Sequence, residues 1–327
     1  VARVVITGVT GQDGSYLAER LVDEGAQVHG LVHSADAATA AFAEAHPGIH
    51  LHRGDLGDEA SLRSLLDEVE PDEVYNLGGI SSVALSWQEP VLTGRLSGLA
   101  VTVLLDAAAR LQERTGRRVS FVQASSSEIF GDAPSSPQDE STPVRPVSPY
   151  GAAKAYAHHA AGVYRGRGLH VATCILFNHE SPRRPTTFVT RKITSAAAQI
   201  ARSGTGTIRL GNLEARRDWG WAPDYVDAMV RAARHDEAAD FVVATGTTHT
   251  VAEFAQAALR RVGLGDDWER YVETAPEFFR PADTSVMVGD PGRARRELGW
   301  RPTVEFEEVV GRMVDHDLEL VEREAGA

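Results

Sequence analysis

A glycine-spaced turn near the start of the chain constrains its fold more than any other stretch. Val4-Val5-Ile6 runs into Thr7-Gly8-Val9-Thr10-Gly11-Gln12-Asp13-Gly14, and residues 15–22 continue with helical periodicity. The order is strand, glycine loop, helix, with the spacing G-x-x-G-x-x-G. Glycines let backbone approach a pyrophosphate, and a helix N-terminus turns free N–H groups and a positive dipole toward it. Residues 28–32 supply a second strand at the distance a βαβ unit requires. A glycine loop alone is a weak sign. In this setting it points to dinucleotide binding through Gly8, Thr10, Gly11, Gln12, Asp13 and Gly14.

The rest of the first half keeps the same rhythm. Residues 49–56 read as a third strand, and Asp55 at its end either meets an adenine edge or serves as a turn residue before a helix over 58–69. Residues 74–79 read as a fourth strand ending in small residues, followed by a helix over 99–111 and strands over 119–123 and 171–177. Strands alternating with helices of this length imply an α/β fold, a doubly wound parallel sheet of the Rossmann type with ligands at the strand carboxyl ends. Beyond residue 177 the pattern turns polar and arginine-rich, with a helix over 188–201 and a strand over 241–246, which indicates a smaller α/β substrate lobe. The expected division is residues 1–178 plus about 219–250 for the dinucleotide and about 179–218 plus 251–327 for the substrate.

Chemistry concentrates between Gln123 and Lys154. Ser125-Ser126-Ser127-Glu128 falls at a strand end, and Ser148-Pro149-Tyr150-Gly151-Ala152-Ala153-Lys154 opens the next helix, with proline suited to its first turn. Four residues apart on a helix, Tyr150 and Lys154 share a face. An ammonium there is expected to lower the phenol's pKa and make it a usable base. Of 33 Lys plus Arg, only Lys154 and Lys192 are lysines. In an arginine-using chain those two are candidates for work that needs a compact, titratable ammonium.

Composition bounds the alternatives. A net charge of −13, spread without long like-charge runs, argues against extended nucleic-acid or membrane binding. The one cysteine, Cys174, sits in an apolar run and reads as an inert buried thiol. No uninterrupted apolar stretch of membrane-spanning length and no signal-like start are visible, so a cytoplasmic protein is expected. No metal-ligand spacing is found.

These motifs, together with Phe177-Asn178-His179-Glu180-Ser181-Pro182-Arg183-Arg184, Phe188-Val189-Thr190-Arg191-Lys192, Leu210-Gly211-Asn212-Leu213 and Arg217-Asp218-Trp219-Gly220, resemble the GDP-mannose 4,6-dehydratase family of extended short-chain dehydrogenases/reductases over nearly the whole chain. The resemblance implies an enzyme with a tightly bound NADP, or NAD as the alternative. Tyr150 would take the sugar O4 proton as the C4 hydride leaves, Ser126 would bond O4, and Lys154 would hold the ribose. Glu128 would remove the C5 proton, water would leave from C6, and the hydride would return there. It further implies cofactor contacts at His33, Ser34, Asp55, Leu56, Leu77, His179 and Arg184. Substrate contacts would come from Ser86, Asn178, Glu180, Lys192, Leu210, Gly211, Arg217 and Arg280, besides Ser126 and Glu128. GDP-mannose or a related nucleotide sugar is the implied partner, in a homodimer or, alternatively, a tetramer. His33 and Ser34 stand where the family usually carries arginine for a 2′-phosphate, which leaves NADP against NAD open. The competing readings are a reductase or epimerase on a GDP- or other nucleotide sugar, which has no use for Glu128, a dehydratase acting on another nucleotide sugar, and a catalytically silent dinucleotide sensor, which has no use for the whole set.

Overall fold

The computed structural model describes residues 1–279 and 286–326, with side chains to Glu324. Seven parallel strands form one sheet: β1 (Arg3–Thr7), β2 (Gln27–Val32), β3 (Ile49–Arg53), β4 (Glu73–Asn76), β5 (Ser120–Ser126), β6 (His170–Leu176) and β7 (Asp240–Val243). Their order across the sheet is β3-β2-β1-β4-β5-β6-β7. β1 pairs with β2 on one side and β4 on the other, so the chain reverses direction there and opens a crevice at the carboxyl ends.

Both faces of this sheet are covered, which explains why its strands read as apolar runs rather than alternating ones. Val4, Ile6 and Val28 face Leu17 and Leu21 of the helix Gln12–Asp23 and Tyr225 and Met229 of the helix Ala222–Arg234. Val5, Leu31 and Phe121 face the opposite way, onto Leu62 and Leu66, Leu104 and Leu105, and Ala157 and Ala161. Cys174 lies in the first of these layers, and burial pushes its thiol up to about 12.

Two elements run further than the sequence pattern suggested. β5 continues through Ser125 and Ser126 because both keep pairing with Ile175 and Leu176, whatever their polarity. The helix Ala100–Thr115 continues to Gly116, which closes it in the left-handed conformation at φ 65°. Within the helical run Pro90–Thr115 an 18-residue window has the length and apolar composition of a membrane span, and half of that window is buried in the fold.

The second, smaller unit packs the helices Val189–Ser203, Val251–Arg261 and Phe306–Gly326 around Ile193, Ile200, Phe254, Val310 and Met313. A buried ion pair staples it. The Arg191 guanidinium forks onto Asp317, with Nε at 3.2 Å from Oδ2, and the Thr194 hydroxyl donates to that same oxygen at 2.7 Å. Removing one partner of such a pair strands the other charge away from water. Asp317→Ala is therefore expected to lower unfolding free energy by about 3–5 kcal/mol, measured as a lower urea midpoint with unchanged slope.

Candidate active site

A cleft of about 340 Å³ lies between the carboxyl ends of β4, β5 and β6 and the smaller unit, a volume within the usual range for small-molecule sites. Among its lining residues are Ser126, Glu128, Tyr150, Lys154, Asn178, Glu180, Lys192, Leu210, Gly211 and Arg217. Asp13, Leu77, His179 and Arg184 line it as well.

Local sequence explains how the chemical groups arrive there. Ser126 ends β5 and its Oγ accepts from the Glu128 N–H at 3.2 Å, which starts a short turn and presents the carboxylate. Ser148 caps the helix Pro149–Gly166 by accepting from the Gly151 N–H at 3.0 Å, and Pro149 occupies the first turn. That fixes Tyr150 and Lys154 on the buried face.

The electrostatics differ from the sequence expectation. Burial pushes the Tyr150 phenol up to about 12, against the Ser126 hydrogen bond and the positive charge of Arg184, which both pull it down. Burial likewise pushes the Lys154 ammonium down to about 8. Its Nζ donates to the Ala124 carbonyl at 2.8 Å and lies 5.8 Å from the Tyr150 ring centroid. Arg184 offsets part of the phenol's desolvation, while the Glu128 and Asp13 carboxylates add to the upward shift.

The glycine loop is shaped for a pyrophosphate. Gly8 adopts φ +70°, where a side chain strains the backbone, and a Cβ on Gly14 would sit 2.1 Å from the Gly8 carbonyl oxygen. On the facing wall the Thr7 hydroxyl accepts from the Leu77 and Gly78 N–H groups at 3.1 and 2.9 Å and donates to Asn76. Leu56 packs beneath Gly78. Thr10 and Gly11 are exposed at the loop tip. Gln12 is buried and bridges Asp13, the His179 carbonyl and the Ser181 hydroxyl.

Asp13 and His179 form a buried ion pair at 2.8 Å across the crevice. His179 Nδ1 faces the Phe177 carbonyl at 2.7 Å and so donates, and the Asp13 carboxylate at Nε2 favours a second proton on the ring. Burial opposes both charges, yet the pairing wins: Asp13 is held below its ordinary range and His179 above its own. Nearby, Glu180 accepts from the Thr190 hydroxyl at 2.7 Å and pairs with Arg184 at 3.3 Å.

At the end of β2, His33 is open to solvent and 3.8 Å from Asp55. Asp55 in turn accepts from the Gly57 N–H at 2.7 Å, so its carboxylate also shapes the turn. Asp36 is committed to capping, accepting from the Thr39 N–H at 2.8 Å and from the Ser34 hydroxyl at 2.7 Å.

Ser86 needs correction. It is fully buried and spends its hydroxyl on the Val83 carbonyl at 2.7 Å, while Ser81 and Ser82 of the same segment face the cleft. Arg280 lies outside the described residues. Sequence reasoning missed Arg209, Phe278 and Phe279 as lining groups. Their signal was present as arginine interleaved with aromatics, which by itself does not distinguish a cleft from a surface.

The family profile and the curated relatives agree on one family. The family profile described as GDP-mannose 4,6 dehydratase matches residues 5–313. A curated relative from Arabidopsis thaliana, "GDP-mannose 4,6 dehydratase 1", is 44% identical over 98% of this chain and 91% of its own length. The Homo sapiens GDP-mannose 4,6 dehydratase is 41% identical, covering 97% of this chain and 91% of its own. Among solved structures, a Thermus thermophilus UDP-glucose 4-epimerase in complex with NAD superposes with a TM-score of 0.83 at 28% identity, over 96% of this chain and 98% of that one. A Streptomyces venezuelae dTDP-glucose 4,6-dehydratase with NAD and TYD bound gives 0.83 at 25%, over 97% of both chains.

The Asp13–His179 pair makes stability depend on pH in a definite direction. Because His179 is raised above its ordinary 6.5, its contribution is fully present below that pH and is lost as pH rises through the raised value. Thermal unfolding midpoints are expected to fall as the pH is taken from neutral to alkaline, and His179→Gln is expected to flatten that slope.

Proposed function

The chain belongs to the GDP-mannose 4,6-dehydratase family, and from that premise we propose how its residues divide the reaction. The activity is that of a hydro-lyase converting GDP-mannose to GDP-4-keto-6-deoxymannose. A bound nicotinamide cofactor supplies the hydride acceptor and donor. In the proposed division Tyr150 takes the O4 proton, Ser126 bonds O4, and Lys154 orients the ribose from its place beside Ala124. Once C4 is a ketone the C5 proton is acidic, and Glu128 removes it and carries a proton toward the departing C6 hydroxyl. Asn178, Glu180, Lys192 and Arg217 hold the nucleotide sugar. The presence of Glu128 in one cleft with Ser126 and Tyr150 carries this reading, because an epimerase or ketone reductase needs only the latter two.

The cofactor proposed is NADP. The reading rests on the end of β2, where the Asp36 carboxylate is engaged in capping a helix and His33 and Ser34 occupy the turn. NAD is the alternative. We also propose an isologous homodimer in the cytoplasm. Leu85, Trp87, Val91 and Leu99, with Tyr156 and Val163 of the catalytic helix, remain exposed, a surplus of apolar surface suited to a second copy.

Purified protein given GDP-mannose is expected to yield a product lighter by one water, with retention stronger for NADP than for NAD. Glu128→Gln should slow water loss by about 100- to 10,000-fold while still permitting oxidation at C4, seen as reduced-cofactor absorbance. Failure of wild-type protein to dehydrate GDP-mannose, with another nucleotide sugar consumed instead, would exclude this substrate. Light scattering should report a dimer, and Val91→Asp with Val163→Glu should convert it to a folded monomer.

A further inference from the structure

Lys192 stands in the first turn of the helix Val189–Ser203, half-buried in the cleft wall. Its Nζ lies 3.4 Å from the centroid of the Phe278 ring. The nearby carboxylate, Glu277, is taken by Arg209 at 2.7 Å, and among the described residues Lys192 forms no ion pair. Phe278 is 46% exposed and lines the cleft. Its position is built. A Cβ on Gly211 would lie 2.5 Å from the Phe278 carbonyl oxygen, so the bare glycine is what lets this turn close over the cleft.

An acid beside Lys192 would hold the ammonium by cancelling its charge. An aromatic face attracts it through the ring quadrupole and leaves the charge available to a ligand. Burial and then the neighbouring Arg209 work against protonation of Lys192 while Glu277 works for it, and Lys192 and Arg209 together present two cationic side chains to the cleft. We propose that Phe278 is a positioning residue for Lys192, holding its ammonium uncancelled in the cleft so that it meets the diphosphate of the nucleotide sugar. The inference rests on the substrate reading above.

Two lysines in the whole chain make the contact directly observable. Protein labelled with 13C-lysine should give two side-chain signals, assigned by Lys192→Met, and the Lys192 protons should be shifted upfield by the ring current. Phe278→Leu should abolish that shift and weaken GDP binding about tenfold, whereas Phe278→Trp should keep the shift and bind within about threefold of wild type. In the Lys192→Met background, Phe278→Leu should cost nothing further. An unshifted Lys192 signal overturns the proposal. So does an equal loss of GDP affinity from Phe278→Leu with and without Lys192, which would make Phe278 a base-stacking surface or a merely structural residue. If wild-type protein shows the shift and binds no GDP, the nucleotide-sugar assignment fails while the Phe278–Lys192 contact stands.

Discussion

Removal of water from charged groups at the carboxyl ends of β1, β5 and β6 is the constraint on which the rest of this site depends. For Asp13, Tyr150, Lys154 and His179 alike, burial is the largest influence on protonation. A group so placed keeps its charge only if a particular neighbour restores what water supplied. Asp13 and His179 do this for each other across 166 positions of sequence. Their pairing fixes the first turn of the loop helix against the segment where the chain leaves the sheet for the smaller unit. Arg183 reinforces the joint by stacking 3.9 Å over the Tyr16 ring and bonding Ser15 and Glu19. The cleft therefore has walls from both units, and these contacts join them along one edge.

A second clamp works from the other end. The buried Asp218 carboxylate accepts from the Thr245 N–H and hydroxyl at 2.8 and 2.6 Å and from the Gly246 N–H at 2.9 Å. It follows directly after Arg217, a cleft residue, and binds the turn that leaves β7. A carboxylate satisfied by backbone N–H groups holds position without needing a cation. The short strand Arg216–Arg217 beside it is thereby tied to the end of the main sheet.

Local pattern made the sheet legible. The strands of the sheet announce themselves over contiguous residues, the helices Ala222–Arg234, Val251–Arg261 and Phe306–Gly326 were not picked out, and the turn chemistry of Gly8, Ser148 and Pro149 acts within three or four positions. Tyr150 and Lys154 were readable for the same reason, since four-residue spacing alone puts them on one face. What sequence did not disclose is tertiary. The upward shift of Tyr150 arises from burial beneath other segments, and Lys154 turns to Ala124, 30 positions away. Ser86 looked like a cleft hydroxyl and is sealed inside its own helix turn. Phe278 and Arg209 come together only because two distant short strands, Ile208–Leu210 and Val272–Thr274, pair in parallel.

The division between arginine and lysine shows a rule behind these arrangements. Arginines make the structural pairs: Arg191 with Asp317, Arg63 with Asp106, Arg117 with Asp72. Their planar fork suits carboxylates, and their charge never titrates. Both lysines line the cleft, and among the described residues neither lies within ion-pair distance of a carboxylate, although Asp13 and Glu277 favour their charges from farther off. Lys154 is held by a carbonyl dipole and Lys192 by a ring quadrupole. A dipole or a quadrupole fixes a cation in place while leaving its net charge intact, whereas a counter-ion fixes it by annulling it. A site built to receive a negatively charged ligand needs cations of the first kind. The chain has placed its only two lysines where that distinction matters.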